Sequence, residues 1–149
     1  MSKISINLVW KLGKKTLSPG KYSNKHTINF NPEINITVDS APDWQGDPKN
    51  CNPEQALAAS LSSCHMMTFL ALAAKMKWPI ISYKDNAIAT LGKNSKGQMT
   101  VTQLELNPKV AFDNKFTVDP NEMKKMQDRA HRYCFIANSL SNDVKVLIN

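Results

Sequence analysis

From Glu54 to Lys77 the chain contains no glycine and no proline, and alanine and leucine dominate. Asn52 can cap a helix, Pro53 suits the first helical position, and Gln55 completes an Asn-x-x-Gln capping box. Pro79 lies just past the far end. About 24 residues rising about 1.5 Å each predict a helix roughly 36 Å long. Between Ala56 and Ala74 it is apolar nearly all round, interrupted only by Ser, Thr, Cys and His. Such a helix is expected to be buried rather than to lie on a surface. It is hard to hide in one domain of 149 residues. A second copy of the chain is therefore expected to cover its far side, in an intertwined homodimer with C2 symmetry.

The flanking sequence alternates apolar and polar residues, as half-buried strands do. Strands are expected over Ile4–Trp10, around Ile28–Phe30 and Ile34–Val38 with a turn at Asn31-Pro32-Glu33, and over Ala87–Leu91 and Met99–Leu106 around a Lys93–Gly97 hairpin loop. Past Pro108, Val110–Phe112 is expected to extend the preceding strand beyond a bulge. A second helix starts at the capping box Asp119-Pro120-Asn121-Glu122, with Met123, Met126, Ala130, Tyr133 and Ala137 as its buried stripe. Val144, Val146 and Ile148 alternate in a last strand. This order predicts an α+β fold, mainly antiparallel, in a single domain over 1–149.

The net charge is +7, yet only Arg129 and Arg132 are arginines and the lysines are scattered. Arginine is the preferred residue for bidentate phosphate and base contacts, so nucleic acid is not an expected partner. No uninterrupted apolar run approaches the roughly 18 residues of a membrane span, so no membrane partner is expected. The N-terminus reads as a strand, not a signal peptide. Three cysteines with no C-x-x-C point away from a disulfide scaffold and towards a reducing cytoplasm.

Chemistry concentrates on Cys64, within the long helix, and Cys134, in Ala130-His-Arg-Tyr-Cys-Phe-Ile. A thiol in apolar surroundings is harder to ionise, so Cys64 needs a cation or a donor network to be a nucleophile. An inert packed thiol is the plain alternative. Glu54 lies ten residues earlier, about 15 Å along a straight helix, too far to touch Cys64. His65 neighbours Cys64 in sequence but faces away, towards the side of Glu54 and Leu61. His131 and Cys134, at i and i+3, are expected to share a helix face. For Glu54 the alternative is a first-turn carboxylate on the helix dipole; for each histidine it is a satisfied buried side chain. Cys64, His65, His131 and Cys134 are zinc-type ligands, but their spacing is poor, and neither metal nor cofactor is expected. Cys51 has no expected role.

The blocks Asn52-Pro-Glu-Gln-Ala-Leu-Ala-Ala-Ser-Leu-Ser-Ser-Cys-His-Met and Ala130-His-Arg-Tyr-Cys-Phe-Ile-Ala-Asn-Ser resemble the OsmC/Ohr family, the osmotically induced and organic hydroperoxide resistance proteins. The resemblance implies an OsmC-like fold, an intertwined homodimer with active sites built from both chains, and thiol-dependent reduction of hydroperoxides. It implies that Cys64 is the peroxidatic cysteine, that Cys134 resolves its sulfenic acid as a disulfide, and that a dithiol or a lipoylated protein resets the pair. It also implies that Glu54 orients a catalytic arginine and that Met66, Met67 and Phe69 line an apolar approach. The family's arginine comes from the N-terminal strand region, where this chain has none. Lys25, His26, Arg129 or Arg132 then stand as candidate cations, with His65 and His131 as further candidates for tuning the thiolate. The missing arginine also motivates a second reading, a non-catalytic protein of this fold that binds small apolar ligands.

Overall fold

Each capping signal can be followed into the computed structural model, which describes residues 1–113 and 115–149 in two compact units, 1–56 and 57–149. In the first unit β1 (Asn7–Val9), β2 (His26–Asn29) and β3 (Asn35–Val38) form an antiparallel sheet in chain order. Ile28 pairs with both Leu8 and Ile36. Asn31 makes the turn: its Oδ1 accepts from the N–H of Glu33 (2.9 Å) and Ile34 (2.8 Å). Only three residues of the expected first strand pair, because β2 ends at Asn29, opposite Asn7. Ile4, beyond the register, is 94% exposed.

The link to the long helix is held by its backbone. Cys51 forms a parallel bridge with Val38, and the Asp39 carboxylate accepts from the N–H of Ser40 and Asp47. At Gly46 a Cβ would lie 1.6 Å from the Ser40 carbonyl oxygen, so only glycine fits. The capping box closes reciprocally: Gln55 N–H donates to Asn52 Oδ1 (2.8 Å) and Asn52 N–H to Gln55 Oε1 (3.1 Å).

Helix α1 runs over Pro53–Lys75. Lys77 adopts a positive φ of 58°, and Trp78 N–H reaches back to Ala73 O while Lys77 N–H bonds Ala74 O. This is the Schellman arrangement, with lysine where glycine is usual. The helix buries one stripe, Ala58, Leu61, His65, Phe69 and Ala73. All-round burial is not what one chain achieves: Met67 is 58% exposed, because the chain packs only one flank of the helix. By length and composition α1 is apolar enough to cross a bilayer; its buried stripe instead forms the core of the second unit.

In that unit β4 (Ile80–Lys84) pairs antiparallel with β7 (Lys109–Phe112), while β5 (Ile88–Lys93), β6 (Met99–Leu106) and β8 (Lys145–Ile148) form a second sheet in which β6 and β8 run parallel. The Val110–Phe112 segment therefore does not extend β6. Pro108 offers no N–H and separates the two, and β7 joins a strand that the sequence reading left out. Helix α2 (Pro120–Tyr133) starts with Asp119 Oδ1 accepting from Asn121 N–H at 2.8 Å. It ends earlier than its apolar spacing predicts. Cys134 is extended (φ −72°, ψ 117°), and a short helix, α3 (Phe135–Asn138), follows. Tyr133 accordingly points outward, 57% exposed.

Two buried clusters result. One joins Ala58, Leu61, Leu104, Leu106 and Cys134; the other joins Phe69, Ala73, Met126 and Ala130. Leu61 is fully buried, so Leu61→Ala removes its apolar contacts and leaves a cavity. The expected loss is about 2–5 kcal/mol, read from the denaturant midpoint at fixed protein concentration.

Candidate active site

Cys64 and Cys134 meet in the first of these clusters. Cys134 occupies two ends at once, closing α2 and opening α3. Its own N–H donates to His131 O (3.2 Å), and its sulfur accepts from Ala137 N–H at 3.4 Å. Because α2 has stopped, the N–H groups of Phe135 and Ile136 are turned to the Cys64 sulfur.

The two thiols are pushed in opposite directions. Burial raises the Cys64 pKa, but the Ile136 N–H, the Cys134 S–H and the Phe135 N–H outweigh it, with a smaller contribution from Thr68, and the net shift is downward. The Thr68 hydroxyl itself donates to the Cys64 carbonyl oxygen (2.9 Å). For Cys134, burial raises the pKa first. Ala137 N–H opposes this, but donating to Cys64 and facing its charge favour the protonated thiol, and the net shift is upward. One thiol is thus easier to ionise than usual and its neighbour harder.

The other sequence candidates fall in different places. His65 is fully buried, and its Nε2–H donates to Gln127 Oε1 at 2.7 Å. Burial holds its pKa below the ordinary value, against Gln127, with His131 lowering it further and Asp85 opposing. His131 does not share a helix face with Cys134, because the helix ends before Cys134; among the described residues its Nδ1 has no partner. In the first unit, His26 opens β2 and its Nδ1 bonds Asn24 O at 2.7 Å. Its ring lines an apolar cleft of about 340 Å³ with Leu8, Trp10, Leu17 and Tyr22. Lys25 is exposed. Glu54 sits in the first turn of α1 with Oε2 buried and, among the described residues, no donor bonded to it. Arg129 and Arg132 are exposed on α2. Phe69 is fully buried, so it packs and cannot line an approach.

A sequence model described as OsmC-like protein matches residues 46–149. An OsmC-like protein of unknown function from Vibrio cholerae is 37% identical over 100% of this chain and 99% of its own, with a TM-score of 0.88. The chain belongs to the OsmC family. Its fold is also that of an organic hydroperoxide resistance protein OsmC from Legionella pneumophila, described as a predicted redox protein (14% identity, 99% and 97% coverage, TM-score 0.71). OhrB, the organic hydroperoxide resistance protein of Bacillus subtilis, shares it too (16%, 98% and 97%, 0.66). No curated protein matches the chain.

Within this OsmC fold the sequence reading missed the donors of Phe135 and Ile136, and Gln127. The first two are backbone groups with no side-chain signature. Gln127 falls at helical spacing between Met126 and Ala130, where its polarity in a buried stripe was the available signal.

Two outcomes follow. Cys64 alkylation should show a lower midpoint in the folded protein than in the urea-unfolded chain. Cys134→Ala, which removes a donor, should raise that midpoint more than Cys134→Ser, which keeps one. Stability should also respond to acid. His65 has a folded pKa below its unfolded value of about 6.5, so the unfolded chain binds more protons as pH falls. The contribution of His65 is complete above about pH 6.5 and declines as pH drops towards the folded pKa. Thermal melts from pH 7.5 to 5 should show this decline, shallower in His65→Leu.

Proposed function

We propose that this chain is a thiol-dependent hydroperoxide reductase. The observation that carries the reading is the meeting of Cys64 and Cys134 in one buried cluster, where donors lower the Cys64 pKa and burial raises that of Cys134. The Cys64 thiolate attacks the outer oxygen of R–O–OH and the O–O bond breaks; with one proton taken up, the products are ROH and Cys64 sulfenic acid. The Cys134 sulfur then attacks the sulfenic sulfur, and the S–O bond breaks. Water leaves and a Cys64–Cys134 disulfide remains. A dithiol, free or carried as lipoyl on a protein, returns two electrons and two protons by thiol–disulfide exchange.

Glu54 serves this reading as a carboxylate awaiting a cation: its buried Oε2 has no donor bonded to it among the described residues. A second copy of the chain, in a homodimer, would cover the apolar faces of α1 that one chain leaves exposed. Three free cysteines suit a reducing, cytoplasmic setting in which a dithiol is at hand. A second reading, a non-catalytic binder of small apolar molecules, is favoured by the cleft between Leu8, Trp10, Leu17 and Tyr22. It requires no ionised Cys64.

With cumene hydroperoxide and a dithiol, Cys64→Ser should fall to the uncatalysed rate. Cys134→Ser should react once and hold a sulfenic acid that dimedone traps. An unchanged rate in Cys64→Ser would end the peroxidase reading and leave the binding one.

A further inference from the structure

The two helices that carry the thiols meet through apolar side chains. Phe69 and Ala73 of α1 pack against Met126 and Ala130 of α2. Such contacts are non-directional and tolerate sliding. One polar pair interrupts this layer: His65 is fully buried, Gln127 is 6% exposed, and they are hydrogen-bonded at 2.7 Å. The Gln127 amide nitrogen faces Met123 Sδ at 3.9 Å. His65 follows Cys64 directly. Gln127 precedes Cys134 by about two helical turns, and Cys134 caps the helix that Gln127 belongs to.

We infer that Gln127 is a positioning residue: its bond to His65 sets the register of α2 on α1 and so presents Cys134 to Cys64 for disulfide closure. A slip of one residue moves a helix by about 1.5 Å and turns it by about 100°. That slip breaks the bond and leaves two buried polar groups unpaired, a penalty the apolar contacts do not impose. Closure is sensitive to such a slip, because a disulfide accepts a narrow range of separations and torsions. Gln127 bonds neither sulfur and moves no proton in the reaction. In its peroxide form the inference rests on the reductase reading. In its geometric form it concerns only whether the two thiols can join.

The test therefore uses two oxidants. Hydroperoxide acts through Cys64 sulfenic acid, whereas diamide takes two hydrogens from any well-placed thiol pair. The quantity read is the rate of Cys64–Cys134 disulfide formation divided by the rate of Cys64 alkylation in the same sample, so that general loosening of the fold does not imitate mispositioning. Gln127→Leu should lower this ratio at least about tenfold with either oxidant. Gln127→Glu, which keeps an acceptor oxygen, should restore most of it. If Gln127→Leu does not fold, His65→Leu/Gln127→Leu decides: with both polar partners gone no orphan remains, and closure should still be slow.

A ratio near that of the wild type in either folded variant overturns the inference. A wild type inert to hydroperoxide but closing with diamide defeats the reductase reading, and the diamide ratio still judges Gln127. A wild type that closes with neither oxidant overturns both.

Discussion

The interaction that the rest of the candidate site depends on is the pull of the backbone N–H groups just past α2 on the Cys64 sulfur. Had α2 continued through Ala137, the N–H groups of Phe135 and Ile136 would be spent on carbonyls one turn back. Because it ends at Tyr133, those donors are free to face a sulfur. The same break turns Cys134 into a cap, with its sulfur accepting from Ala137. A single chain termination thus pushes the pKa values of two thiols in opposite directions.

This changes how the missing arginine is understood. The sequence poses the ionisation of Cys64 as a search for a cation, with Lys25, His26, Arg129 and Arg132 as candidates. The structure supplies neutral donors: two amides and a thiol. Hydrogen bonds to the charged form lower a pKa as a nearby cation does, and they avoid the desolvation of a second buried charge. The Glu54 oxygen that has no partner among the described residues then becomes a separate matter from the ionisation of the sulfur.

Much of the fold was legible because its signals are local. Asn52 and Gln55 predict each other's partners, and Ile28 and Ile36 alternate as a half-buried pair must. What stayed hidden depends on tertiary context. Ile80-Ile-Ser-Tyr-Lys lacks a clean alternation and became a strand only on meeting β7. The end of α2 carries no glycine or proline, and Ala137 continues the helical spacing, so Tyr133 was placed on the buried stripe and His131 on a face shared with Cys134, where the helix has already ended. The cysteines were legible as residues, but the amides that tune Cys64 have no identity in a sequence. Burial of α1 was expected nearly all round, and one chain provides it along a single stripe.

The central claim is that Cys64 and Cys134 form one redox unit, with Cys51 outside it. The most direct measurement is peptide mapping of the reduced protein after one equivalent of organic hydroperoxide. The account predicts a single cross-linked peptide joining Cys64 to Cys134, with Cys51 still free to alkylate. Three unmodified thiols, or a cross-link through Cys51, would contradict it.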